Sequence, residues 1–204
     1  MTAVAGDQRN AGSRRVRTRL DPERRREQLL DAAEGVFAGR DPRDVTFEQV
    51  ADAAGVSRAL VYNYFGDRFG LIAAMYVRWA HELDQELVAT LGGSEPADQR
   101  LRHIIRSHLD FAERHRAVVA LVESGEGHAH QVVDQARLRR HERVAQAWGP
   151  TPEDHLVATG VLALLERASI DRVTAGDLDL DRVEDLLFAL MWPGLSAGPV
   201  SPFG

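Results

Sequence analysis

Apolar residues recur at helical spacing along most of this chain. The first such stripe consists of Leu29, Leu30, Ala33, Val36 and Phe37 and ends near Gly39. Positions three and four apart share one face of a helix, so each stripe predicts an amphipathic helix. Further apolar stripes follow in residues 47–54, 58–65, 68–91, 97–114, 116–123 and about 127–148. Because no segment shows strand-like alternation, the pattern predicts an all-α protein of about nine helices.

Short polar residues stand at the predicted starts of the first four helices. These residues are Asp21, Thr46, Ser57 and Asp67. Their side-chain oxygens can accept hydrogen bonds from the unpaired amides of a first helical turn. Gly55 permits the positive φ that a tight turn often needs, and it separates the second predicted helix from the third. Two short helices joined in this way form a helix-turn-helix.

The last two predicted helices, 153–173 and 181–192, are apolar over more of their circumference than one core-facing stripe requires. Such helices need cover on two sides. We therefore expect them to pack on their own subunit and on a second copy, which predicts a homodimer. The segment 194–204 after Pro193 is predicted to be a disordered tail.

The composition favours a protein without disulfides or membrane spans. The 204 residues include no cysteine and carry a formal net charge of −6. No apolar run approaches the roughly 18 residues that a membrane span needs, and the N-terminus lacks an apolar segment of signal-peptide length. These features predict a cytoplasmic protein with no membrane partner, no cofactor and no metal site.

The charge is distributed unevenly along the chain. Residues 9–30 hold eight arginines and three acidic residues, a local net charge of +5. We interpret residues 1–20 as a disordered basic arm, 21–68 as a helix-turn-helix domain and 69–193 as a helical ligand-binding and dimerisation domain. A basic segment beside a helix-turn-helix suggests contact with nucleic acid despite the negative net charge.

The third predicted helix carries side chains suited to reading DNA. Val61 and Phe65 are expected to face inward, which leaves an outward set of Arg58, Leu60, Tyr62, Asn63 and Tyr64. Arginine can pair with guanine, asparagine with adenine and leucine with a thymine methyl group, while tyrosine hydroxyls can reach phosphates. The alternative for Tyr62 and Tyr64 is that both rings merely cover the apolar seam of the helical hairpin.

The stretch from about Arg24 to Arg78 resembles the tetracycline-repressor (TetR) family of bacterial transcriptional regulators. The resemblance rests on LLDAAEGVFA in helix one, the opening at Thr46, the VADAAGVS turn, Tyr62-x-Tyr64-Phe65 and the start of helix four, in order and at the family's spacing. It implies a three-helix DNA-binding head followed by a variable effector-binding body. It also implies a homodimer whose last two long helices form a four-helix bundle.

The resemblance assigns DNA contacts by position. Those positions are Thr46, Ser57, Arg58, Ala59, Leu60, Tyr62, Asn63, Tyr64 and Arg68. Three of them depart from the usual family residues. Leu60 stands where threonine is frequent, Asn63 where histidine is common and Arg68 where lysine is usual. The first two affect the expected base sequence, whereas Arg68 keeps the charge for a phosphate contact.

Several residues suggest a ligand or a reaction. Residue type nominates Trp79, His108, Phe111 and Trp148 as effector-binding candidates, although His108 and Phe111 could equally serve core or surface packing. The segment 194–198, GLSAG, matches the G-x-S-x-G nucleophile motif of hydrolases, but no histidine follows it. We therefore predict no enzyme activity.

These observations favour a repressor that a small-molecule effector releases from a palindromic operator. The alternative is a small-molecule-binding or orphan regulator without an inducing ligand.

Overall fold

The computed structural model describes residues 21–176 and 178–197, and within these ranges the chain is helical without strands. The helices are α1 (Pro22–Phe37), α2 (Phe47–Ala54), α3 (Arg58–Phe65), α4 (Arg68–Leu91), α5 (Ala97–Arg114), α6 (Arg116–Glu123), α7 (Ala129–Trp148), α8 (Pro152–Ala175) and α9 (Leu180–Ala197). A 3-10 turn, Pro42–Asp44, lies between α1 and α2. The all-α prediction is confirmed, while the predicted disordered arm, 1–20, lies outside the described residues.

The predicted caps define the starts of α1 to α4. The side chains of Asp21, Thr46, Ser57 and Asp67 each accept a hydrogen bond from the amide three residues later. Gln49 completes a reciprocal capping box by accepting a hydrogen bond from the Thr46 amide at 2.9 Å. These contacts satisfy amides that a helix cannot pair internally, so the start of each helix is encoded locally.

Two apolar clusters hold the helices together. The first joins α1, α2 and α3 to the first half of α4, to α6 and to the start of α7. The second joins the end of α4 to α5, α8, α9 and the end of α7. Helix α4 contributes Leu71 and Met75 to the first cluster and Leu87 and Leu91 to the second, so it connects the head to the body.

Helix α9 extends beyond its predicted end. We expected a disordered tail from residue 194, but 194–197 form the last turn of α9 and Pro193 lies inside the helix. Leu187, Met191 and Leu195 follow at four-residue intervals, and all three are buried. Burial of Leu195 in the second cluster favours this extra turn despite the amide that proline lacks. The remainder of the predicted tail, 198–204, lies outside the described residues.

The described helices include none that is both long enough and apolar enough to cross a bilayer.

Two helical glycines provide a test of how closely α3 and α4 approach. A Cβ on Gly70 would overlap the Phe65 carbonyl oxygen at the end of α3, whereas one on Gly35 in α1 would meet nothing. We expect Gly70→Ala to lower the free energy of unfolding by at least about 2 kcal/mol, because backbone must move. Gly35→Ala should raise it by up to about 1 kcal/mol through helix propensity. Urea titrations measure both changes, and equal effects would contradict the close approach.

Candidate nucleic-acid interface

Helices α2 and α3 form the predicted helix-turn-helix. Gly55 ends α2 with φ of 65°, and the Val56 amide donates to the Ala51 carbonyl at 2.9 Å. Val61 is fully buried and Phe65 is 8% exposed, so one face of α3 is fixed in the first apolar cluster. The opposite face of α3 is thereby directed toward solvent in a defined orientation.

The residues nominated for DNA contact occupy this outer face or its rim. Arg58, Ala59, Tyr62 and Asn63 are exposed, whereas Leu60 and Tyr64 are half-buried. The inward positions Val61 and Phe65 agree with the predicted pattern, and Asn63 presents an exposed amide. Tyr64, predicted to face outward, instead shares its ring with the core because it packs on the first apolar cluster.

Tyr62 packs on α2 through its ring and makes a hydrogen bond at the surface through its hydroxyl. Its ring lies edge-on to Phe47 of α2, with centroids 4.6 Å apart, so it covers part of the helical seam. Its hydroxyl accepts a hydrogen bond from Arg58 Nη2 at 3.1 Å. Tyr62 as a residue is still 43% exposed, so packing on Phe47 leaves it accessible at the surface.

Thr46 and Ser57 place two helix N-termini beside this face. Both side chains are exposed, and both hydroxyl oxygens accept cap hydrogen bonds, Thr46 from Gln49 and Ser57 from Leu60. The N-terminus of a helix carries a partial positive charge. These two ends therefore favour phosphate at the positions where the sequence predicts backbone contacts.

Arg68 is directed away from the outer face of α3. Its Nη1 donates to the Arg43 carbonyl at 2.6 Å, and its Nη2 lies 3.9 Å from Glu126 Oε1. Arg43 Nε also donates to Glu126 Oε2, at 3.2 Å. The cation predicted to bind phosphate is thus engaged with the 3-10 turn and with the loop between α6 and α7.

That loop touches the head at a point the sequence analysis missed. A Cβ on Gly127 would overlap the Phe69 ring, and His128 Nδ1 lies 3.7 Å from Asp67 Oδ2. Gly125 and Gly127 both have positive φ, a conformation that favours glycine. A Ser-Gly-Glu-Gly-His sequence is typical of a turn, but nothing in it indicates which surface the turn contacts.

The sequence pattern of the tetR family of bacterial regulatory proteins matches residues 29–75, the segment that contains α2, α3 and most of α1. Residues 29–75 of the chain therefore carry the DNA-binding pattern of the TetR family. Over 121 residues it is 37% identical to the HTH-type transcriptional regulator BetI of Brucella anthropi, which covers 59% of this chain and 62% of BetI. Over 108 residues it is 34% identical to the HTH-type transcriptional activator FasR of Mycolicibacterium smegmatis, covering 53% and 49%. The matches therefore span about half to three-fifths of these relatives.

Solved structures of TetR-family regulators share the fold over most of this chain. A TetR-like transcriptional regulator from Rhodococcus sp. RHA1 is 27% identical, with 88% of this chain and 100% of that chain covered at a TM-score of 0.52. A TetR-family regulator from Streptomyces coelicolor superposes at a TM-score of 0.62 with 24% identity, covering 87% and 84%. The matched relatives are transcriptional regulators, a class that acts by binding rather than by catalysis.

The structure brings the four effector candidates together only in pairs. His108 and Phe111 line a small inner cavity of about 20 Å³, together with Tyr76 and Ser169. Trp79 lies nearer the head, where its ring stacks on His115 at 3.9 Å and its Nε1 donates to Glu34. Trp148 is buried in the second apolar cluster. Trp79 and Phe111 share the lining of a third cavity, of about 220 Å³, but no cavity of the described residues contains all four candidates.

A buried charge network surrounds His108. Arg140 is 4% exposed, and its Nε donates to Asp84, its Nη1 to Glu166 and its Nη2 to His108 Nε2. His108 Nδ1 donates to the Ile104 carbonyl at 2.9 Å, so the ring is neutral with its Nε2 as acceptor. Sequence patterns do not single out these charges, because their spacing alone does not tell a buried network from a solvated face.

The environment of His108 favours the neutral ring. Burial lowers the pKa of His108 to about 3, and the positive charge of Arg140 acts in the same direction. The unfolded chain can bind a proton on this residue below its ordinary value of 6.5, whereas the folded protein binds it only near pH 3. The folded state therefore loses stability as the pH falls below 6.5.

Replacing His108 tests this linkage. When the pH is lowered from 7 to 5, the free energy of unfolding should fall by roughly 2 kcal/mol more in the native chain than in His108→Gln, because glutamine takes up no proton. Denaturant titrations at the two pH values measure the difference. The exposed His81→Gln variant serves as the control for removing one imidazole. A parallel pH response in the native and His108→Gln proteins would contradict the neutral buried ring.

The nucleophile motif found at residues 194–198 does not have its required context. Ser196 lies in the last turn of α9, whereas the hydrolase motif needs a sharp turn between a strand and a helix. Across the described residues, no group of three or more histidine or acidic side chains is placed to hold a metal.

Proposed function

We propose that this protein is a homodimeric DNA-binding repressor that a small-molecule effector releases from a palindromic operator. The observation that carries the proposal is the outer face of α3, which presents Asn63 and Arg58 while Val61 and Phe65 anchor its other face. A helix held in this way can enter a major groove with its side chains against base edges.

The proposed contacts divide into two kinds. Asn63 can pair with adenine, Arg58 with guanine, and Leu60 can contact a thymine methyl group. Thr46, Ser57, Tyr62, Tyr64 and Arg68 are proposed backbone contacts, with Ala59 allowing close approach. Arg68 must exchange its contacts with Arg43 and Glu126 for a phosphate, so operator binding is proposed to loosen the contact between the head and the loop at Glu126.

Exposed leucines on the last two helices support the dimer. Leu156 of α8 is 75% exposed and Leu190 of α9 is 67% exposed, and Leu186 is also exposed. Leu187, by contrast, is buried within its own subunit and is not available to a partner. A second copy packed on this face would remove the leucines from water. The palindromic operator proposed for such a dimer has half-sites about 34–36 Å apart, one turn of DNA.

The effector part of the proposal concerns the body. The inner cavity at His108 and Phe111 has room for about one water-sized group. A second cavity of about 110 Å³ lies beside it and shares Tyr76 and Arg140 in its lining. An effector larger than a few atoms would have to separate these side chains, which is a physical route from binding to movement of α4.

Asn63→Ala tests the recognition role of α3. We expect the substitution to weaken binding to the preferred operator by about 1–3 kcal/mol and to relax selectivity at one position in each half-site. Binding-site selection followed by titration on the selected operator measures both effects. Gln135→Ala removes an exposed amide from α7 and should change neither. Identical selected sites for Asn63→Ala and the native chain would rule out base reading by Asn63, and absence of any DNA binding would overturn the proposed function.

Leu190→Arg tests the dimer face. An unpaired arginine would be costly between two copies, so we expect sedimentation to shift from a mass of roughly twice 22.6 kDa toward a single subunit. Leu138→Arg is the matched control, because Leu138 is 66% exposed but lies on α7. Should both variants remain dimers, the interface does not include this part of α9.

A further inference from the structure

A large cleft lies between the head and the body, in addition to the smaller cavities of the body. Its volume is about 610 Å³. The head contributes the end of α1 and residues 38–42, and the body contributes the corner where α5 meets α6. This size matches pockets that hold small organic molecules.

Part of the cleft wall is apolar and includes an aromatic pair. Phe37 and Val118 are buried, and Trp79 stacks on His115 with the rings 3.9 Å apart and 11° from parallel. Burial lowers the pKa of His115 to about 4, and the charge of Arg114 lowers it further. The imidazole is therefore neutral near pH 7 and adds no charge to this wall.

The acidic residues of the cleft are already paired. Glu34 binds Arg78 and accepts a hydrogen bond from Trp79 Nε1. Glu113 accepts a hydrogen bond from Arg172 at 2.8 Å. Asp41 accepts one from the Arg43 amide at 2.8 Å.

Two cationic residues of the cleft are left without such partners. In the described part of the chain, the guanidinium groups of Arg40 and Arg114 have no carboxylate within 4 Å and no hydrogen-bond acceptor, although both residues line the cleft. The cleft therefore combines an apolar wall with unmatched positive charge. That combination is complementary to a small molecule with an apolar body and one negative group.

We propose that this cleft binds a small organic anion, an aromatic or short aliphatic carboxylate. Its apolar part lies along Phe37, Val118 and the edge of the Trp79–His115 pair, and its carboxylate lies between Arg40 and Arg114. The occupant contacts both head and body, beside the 3-10 turn whose Arg43 carbonyl holds Arg68. An effect on operator affinity rests on the proposed function, whereas binding of the anion does not.

The test uses 4-phenylbutyrate and its uncharged analogue 4-phenylbutan-1-ol on the DNA-free, full-length protein. Isothermal titration calorimetry should show one phenylbutyrate per subunit, with the alcohol bound at least about tenfold more weakly because it lacks the charge. Arg40→Gln and Arg114→Gln should each weaken phenylbutyrate binding about five- to tenfold. Arg139→Gln removes an exposed arginine from α7 and should leave the affinity unchanged.

Tryptophan fluorescence locates the bound anion independently. The chain has three tryptophans, so Trp148→Phe with Trp192→Phe leaves Trp79 as the single reporter in the cleft wall. Phenylbutyrate should change its emission with the same dissociation constant that calorimetry gives. If the paired substitution impairs folding, calorimetry on the arginine variants decides alone. Equal affinity for the alcohol, unchanged affinity in both cleft variants, or no binding up to the solubility limit of phenylbutyrate would each overturn the assignment.

Discussion

Helix α4 is the constraint on which both halves of the structure depend. Its first half packs Leu71 and Met75 among the helices of the head, and its last turns pack Leu87 and Leu91 in the body. A rigid helix of 24 residues shared by two cores cannot shift at one end without disturbing the other. The orientation of α3 is therefore set by the same element that borders the cavities of the body.

A second constraint is the charge network around Arg140. The paired carboxylates offset the cost of burying a guanidinium, but removing any one member would leave a charge in the interior without its partner. Such a network is a weak source of net stability and a strong source of specificity in side-chain position. Because it joins α4, α5, α7 and α8, any molecule that enters the inner cavity must displace groups that fix these helices relative to one another.

The contact between the head and the loop at Glu126 gives Arg68 two alternative environments. In the described structure Arg68 binds the Arg43 carbonyl and lies near Glu126, but these groups are partly exposed, so the ion pair is weak. A DNA phosphate is negatively charged, as Glu126 is, and would bind the guanidinium of Arg68 more strongly. In the proposed operator complex, Arg68 would leave its contacts with the head and the loop to bind a phosphate. The cleft at Arg40 and Arg114 lies on the neighbouring side of the same turn.

The sequence by itself determined the local structure of this protein. Capping residues and apolar spacing predicted the starts of α1 to α4 and the buried face of α3, because both depend on residues within a few positions of each other. The same reasoning identified the outer face with Asn63, and the resemblance identified the TetR-family pattern of the head. The predicted end of the last helix at Pro193 was wrong. The hydrogen bond that proline cannot make is visible in the local sequence, whereas the burial of Leu195 depends on distant helices.

Only the tertiary structure decided which distant groups meet. Arg140 pairs with Asp84, 56 positions away, and with Glu166, 26 positions away. Arg68 donates to the carbonyl of Arg43, 25 positions away. The tertiary structure also showed that Leu187 faces its own core while Leu190 faces outward. Helical periodicity gives the angle between two side chains on one helix, but the direction in which that helix faces depends on all the helices packed against it.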